Sequence, residues 1–215
     1  DGGDADFTLL PDSNHHVASV TGDTCSATDN GDGTWTAAHI TADCVIDVVF
    51  AINQYTVTFV DWDATVLSTQ TVDHGDAAIA PADPVRPGYG FTGWDVPFDT
   101  VTSDLTVTAQ YTINQYTATA TVAGSHGTIA PATQQVDHGD DAQFTVTPEA
   151  GYHGLLAGDS CNPADNGDGT WSAHTITADC QVTASFAQNL AEAVQIHAGD
   201  GQAAPVLDDF AQALT

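Results

Sequence analysis

Lysine is absent from this chain, and Arg86 is its single arginine. Against that one cation stand 29 Asp and Glu, for a formal net charge of -28. Binding to a phosphate backbone or an anionic lipid surface depends on clustered Lys and Arg, so neither nucleic acid nor membrane is expected as a partner. The missing Lys also excludes any Lys-based isopeptide cross-link. Long apolar runs are lacking as well: the strongest, Val45 to Ile52, is interrupted by Asp47 and falls short of the roughly 20 residues a spanning helix needs. The opening Asp1-Gly2-Gly3-Asp4 carries neither the basic nor the apolar region of a secretion signal, which reads as a mature or excised fragment. No phosphate loop, dinucleotide fingerprint or zinc-protease helix is found, and no C-x-x-C pair.

What is there is an acidic, globular composition. With 42% apolar residues the chain can build small cores rather than remain disordered. Its charge repels itself unless salt or divalent cations screen it. That fits a salty or calcium-rich setting outside the cell, although solubility is the plainer reason for such a surface.

Internal repeats organise the chain. Cys25-Ser-Ala-Thr-Asp-Asn-Gly-Asp-Gly-Thr-Trp35 runs on to Ile40-Thr-Ala-Asp-Cys44, and Cys161-Asn-Pro-Ala-Asp-Asn-Gly-Asp-Gly-Thr-Trp171 runs on to Ile176-Thr-Ala-Asp-Cys180. Asn53-Gln54-Tyr55-Thr56 and Asn114-Gln115-Tyr116-Thr117 announce further units. The divisions expected are 1–53, 54–114, 115–188 and a tail, 189–215. Tyr55, Val57 and Phe59 alternate with Thr, as do Leu105, Val107, Ala109 and Tyr111 with Thr and Gln. This period of two predicts half-buried antiparallel strands, and the two Asn-Gly-Asp-Gly stretches predict hairpin turns. Only Leu190 to Val194 hints at helix.

Tyr55-Thr-Val-Thr-Phe59, Pro84-Val-Arg-Pro-Gly-Tyr89, Phe91-Thr-Gly-Trp94 and Leu105-Thr-Val-Thr-Ala-Gln-Tyr111 make residues 54–113 resemble the internalin-type B repeat. One departure is Ala64, where that family usually has Gly. His126-Gly-Thr128, His138-Gly139, Phe144-Thr-Val-Thr-Pro148 and Gly151-Tyr152 make residues 115–187 similar to its divergent form, and residues 4–52 look like the second half of that form. The resemblance implies a mainly β chain of tandem, small β-grasp-like modules from secreted or cell-wall-associated bacterial proteins, which act as spacers or adhesion modules without catalytic residues. The tail, with Val194-Gln-Ile196 and Phe210-Ala-Gln-Ala-Leu214, resembles the opening of a bacterial Ig-like adhesin domain.

Four Cys, two in each matching copy at equal spacing, predict Cys25–Cys44 and Cys161–Cys180 disulfides and an oxidising compartment. The Asp-Asn-Gly-Asp-Gly stretches lack the first and twelfth ligands of an EF-hand-like loop, so hairpin turns are expected there, with at most loosely bound calcium and no other cofactor. His74 and His138 read as solvated turn residues without a nucleophile or metal partner. Trp62, the least patterned tryptophan, is the one ligand candidate, for a glycan or protein receptor.

The function expected is therefore a non-enzymatic extracellular structural or adhesion region, the alternatives being a receptor-binding module and, behind it, a secreted hydrolase. The first copy lacks the counterpart of the opening strand of the third unit, while the tail supplies Val194, Ile196, Val206, Leu207, Phe210 and Leu214. Partners are accordingly expected to be further copies joining by strand addition into a filament, or neighbouring domains of a longer surface protein.

Overall fold

The computed structural model describes residues 2–158 and 160–189. The helical hint at Leu190 to Val194 and the six tail residues named for assembly lie outside the described residues. All regular structure described is β-strand. Two compact units are formed among the described residues: one holds those up to Tyr116, Gln135–Asp140 and Thr175–Ala178, the other Thr117–Gln134, the described residues of 141–174 and those from 179 onward.

The first unit begins with β1 (Gly3–Thr8), β2 (His15–Gly22), β3 (Ser26–Asp29), β4 (Thr34–Ile40) and β5 (Ile46–Ile52). These make a three-stranded sheet, β1-β4-β3, and a two-stranded one, β2-β5. It continues through β6 (Gln54–Val60), β7 (Val66–Asp73), β8 (Tyr89–Trp94) and β9 (Leu105–Ile113), which form a sheet in the order β7-β6-β9-β8. Its middle pair, β6 and β9, is parallel, with Val57 opposite Leu105 and Val60 opposite Thr108. A parallel pair of first and last strands flanked by antiparallel neighbours is the sheet of a β-grasp.

The alternation in the sequence decides which face is covered. Val57, Phe59, Val72 and Val107 point to one side and are buried with Ala78 and Val101, while Trp94, Val96 and Phe98 close over them. The Phe59 ring meets Trp94 and Phe98 edge-on, at 5.0 and 5.2 Å between centroids. Each such Val or Phe contributes about 1.5–3 kcal/mol by leaving water. Val101 and Ala78 are carried by loops pinned through backbone bonds, Val101 N–H to Asp76 and Ala78 N–H to Phe98.

The remaining strands are β10 (Gln115–Ala123), β11 (Gly127–Ala130), β12 (Thr133–Asp137), β13 (Ala142–Pro148), β14 (Tyr152–Gly158), β15 (Pro163–Asp165), β16 (Thr170–Ala173) and β17 (Cys180–Gln188). They form two four-stranded sheets, β12-β10-β17-β14 and β11-β13-β16-β15. Again the opening strand lies parallel to the last, Ala118 opposite Cys180 through Ala123 opposite Ser185. Ala118, Ala120, Val182, Ala184 and Phe144 are buried between them.

Where the two Cys-containing copies overlap, they pair alike. Phe7 opposite Trp35 repeats as Phe144 opposite Trp171, and β2-β5 repeats as β14-β17. The β2–β5 pair carries a bulge at Ala18, between Val17 and Ser19, that β14–β17 lacks. There the distance between matching residues drops from 137 to 136, so one inserted residue is absorbed as one extra residue in the strand.

Candidate functional site

The hairpin joining β6 to β7 presents Trp62. Asp61 N–H donates to the Thr65 carbonyl and Ala64 N–H to the Asp61 carbonyl, while the Asp61 and Asp63 carboxylates accept from the N–H groups of Trp62 and Thr65. Ala64 takes φ 66°, the left-handed conformation that suits the Gly of the related repeats. Trp62 remains 54% exposed.

One face of that indole is covered by Arg86, whose guanidinium carbon lies 4.1 Å from the Trp62 ring centre and 3.7 Å from that of Tyr89. Tyr111 is 5.8 Å away, and its hydroxyl donates to Asp61 at 2.6 Å. Desolvation of the phenol, then its bond to Asp61, raises the Tyr111 pKa to about 12. The only cation of the chain is thus held by ring stacking. The sequence offered no sign that Arg86 and Trp62 meet, since 24 residues part them and neither belongs to a repeated pattern.

The Asn-Gly-Asp-Gly stretches form the hairpin loops between β3 and β4 and between β15 and β16. Gly31 N–H donates to Asp29, Thr34 N–H to Asp32, and the Asn30 amide to Thr34 and Thr36. Asp165, Asp168 and Asn166 repeat the set with Gly167, Thr170 and Ser172. The Thr34 and Thr170 hydroxyl and amide bonds hold Asp32 and Asp168 below the ordinary carboxylate range. These oxygens complete the loop itself, and among the described residues no group of three or more His, Cys, Asp or Glu is placed to hold a metal ion.

Both disulfides close within their own copy: Cys25 to Cys44, with Cα atoms 5.9 Å apart, and Cys161 to Cys180, at 5.6 Å. The second is buried, the first only half-buried.

Two histidines depart from expectation. His74 and His138 are half-buried rather than solvated, because their rings pack against Tyr55 and Tyr116, each at 5.8 Å. Nδ1 of His74 is buried without a hydrogen-bond partner. Their backbones explain the placement. His74 N–H donates to the Asn53 carbonyl and His138 N–H to the Asn114 carbonyl, while Asn53 and Asn114 donate their own N–H groups back to Asn14 and Gly88. Asn189 donates likewise to Gly151. Each Asn that the sequence marks only as the edge of a repeat therefore bonds to the loop before it, and in the first two cases also to the turn after it. His126 and His174 make exposed pairs with Glu149 and Asp141, of little energetic weight.

Comparison with known proteins agrees with this geometry. Residues 55–120 match the Listeria-Bacteroides repeat domain and residues 116–190 the divergent InlB B-repeat domain. Two relatives from Evansella cellulosilytica are similar over part of their length. A "Putative membrane protein" is 27% identical over 128 residues, covering 54% of this chain and 19% of that protein. A "Putative Gly-rich membrane protein" is 28% identical over 87 residues, covering 36% of this chain and 10% of that protein. The matched region thus spans about a fifth of the first relative and a tenth of the second. No helix among the described residues is long and apolar enough to cross a membrane. Residues 55–190 thus match one Listeria-Bacteroides repeat and then one divergent InlB B-repeat, repeat domains of bacterial surface proteins.

Proposed function

We propose that this chain is a non-catalytic spacer and adhesion region on the outside of a bacterial cell, whose copies join by strand addition. The observation that carries the reading is the junction at Asn53 and Asn114. No residue intervenes between β5, Asn53 and β6, or between β9, Asn114 and β10, and each Asn bonds to the turn after it through His74 or His138. Such joints leave no linker between one repeat and the next, which suits a part that acts through reach and presentation rather than through a pocket. Two disulfides support an oxidising exterior.

Size-exclusion chromatography with light scattering, with and without calcium, tests the assembly. The full chain should form multimers, and removal of residues 190–215 should abolish them; a monomer at high concentration would overturn assembly. A second reading, a glycan or receptor site, is favoured by Trp62 and the Arg86 guanidinium, which makes no side-chain hydrogen bond among the described residues. Quenching or a blue shift of Trp62 fluorescence on adding oligosaccharides, lost in Trp62→Phe, would establish it.

A further inference from the structure

The Arg86 guanidinium beside Trp62 is an open anion site, and we propose that it takes the carboxylate of a single acidic sugar residue whose ring packs against the exposed part of the Trp62 indole. This deepens the glycan reading of that cluster and rests on it, by assigning the charge and the size of the ligand.

Charge comes first. Arg86 is the only Lys or Arg in a chain with 29 Asp and Glu, yet the ion pairs among the described residues are those of His126 and His174. The two carboxylates of the Trp62 hairpin are turned to other groups: Asp61 accepts from Trp62 N–H and from the Tyr111 hydroxyl, Asp63 from Thr65 N–H. Cation–π contact with Trp62 and Tyr89 engages the plane of the guanidinium. It leaves the N–H edge, a fork that fits a carboxylate with two parallel bonds.

The divergent repeat supplies an independent observation, because it builds the same turn with the opposite charge. Tyr89 N–H donates to the Arg86 carbonyl and Tyr152 N–H to the Glu149 carbonyl, each at 3.0 Å. Asn114 and Asn189 close the two turns alike, donating to Gly88 and Gly151. In the divergent copy the Tyr152 ring is covered by His126, stacked at 4.1 Å, and His126 Nδ1 lies 3.1 Å from Glu149. The turn therefore forms with an acid as readily as with a base, so the backbone does not require Arg86. Glu149 finds its partner inside its own repeat. Arg86 does not, and an acid that answers it comes from another molecule.

Size decides which acid. One guanidinium and one indole that is 54% exposed make the footprint of one sugar ring, with C–H groups against the indole and the carboxylate at the fork. A stable protein partner covers about 800 Å² on each side. A polyanion would meet a net charge of -28 with a single cation to offset it. The cluster is also rigid before any ligand arrives, because the Tyr111 ring meets Phe91 and Phe91 meets Trp94 of the core; little ordering is left for binding to impose.

The probes are oligosaccharides ending in glucuronic, galacturonic or N-acetylneuraminic acid, each paired with its neutral carboxyl methyl ester and titrated into the full chain by calorimetry. At least one free acid should bind about tenfold or more tighter than its ester, and its identity separates a uronic from a sialic source. Arg86→Lys, which keeps the charge and loses the planar fork, and Arg86→Gln should each weaken that acid about tenfold. The comparison of acid with ester uses the unaltered protein, so it decides the matter even where a variant does not fold. Equal binding of acid and ester, or equal binding by a folded Arg86→Gln, would overturn the carboxylate assignment and leave the glycan reading standing. Binding of none of these sugars, acid or ester, would overturn both.

Discussion

Single residues in this chain reveal themselves mainly through backbone conformation. Ala64 sits at φ 66°, where a Cβ costs roughly 1 kcal/mol. Ala64→Gly should therefore stabilise the middle repeat by about 0.5–1 kcal/mol, read as a higher urea midpoint with unchanged slope. His39 and Thr175, matching positions of the two Cys-containing copies, share the same strain at φ 59° and 55°. The residue type at Thr175 does not announce it, since Gly, Asn, Asp and His are the usual signals. Asp168 offers a pH test. Its folded pKa lies below 3.8 because of the Thr170 bonds, so its stabilisation is complete above the unfolded value and is lost as pH falls through the folded one. Asp168→Asn should be less stable than the parent at neutral pH, with the difference shrinking below about pH 4; thermal melts at both pH values check it.

At the scale of elements, the two disulfides separate by environment. Cys161 and Cys180 are 3% and 9% exposed, whereas Cys25 and Cys44 are only half-buried. A mild thiol should open Cys25–Cys44 first, as mass mapping of alkylated peptides would show. Replacing Cys161 and Cys180 together by Ala should cost about 3 kcal/mol for a loop of this length. Strands were largely legible in the sequence because Thr alternates with Val, Phe or Ala along β6, β9 and β10, and a period of two has one structural meaning. The bulge at Ala18 was legible in principle, as the change of spacing between copies. The stacking of Arg86 on Trp62 and Tyr89 was not, because it joins a hairpin tip to a distant loop and leaves no periodic trace. The His74 and His138 segments looked solvated because His-Gly-Asp is a turn composition; what buries them is a Tyr from a strand 19 to 22 residues earlier.

For the whole molecule, charge dominates the response to solution conditions. A net charge of -28 with one basic residue leaves little internal compensation. Melting temperature should rise as sodium chloride shortens the screening length from about 30 Å to about 8 Å, and a flat salt response would show that the charges are too far apart to matter. The parallel pairing of first and last strands has a mechanical meaning. When a surface protein is pulled by its ends, β6 and β9 are drawn past each other along their length, so the hydrogen bonds from Val57–Leu105 to Val60–Thr108 bear the load together instead of opening one by one. The same holds for β10 and β17, from Ala118–Cys180 to Ala123–Ser185. Stretched in an atomic force microscope, each repeat should yield at a higher force when held at its termini than when held across its antiparallel β8–β9 or β14–β17 pair. A chain of such parts would behave as a tether that stays taut under flow.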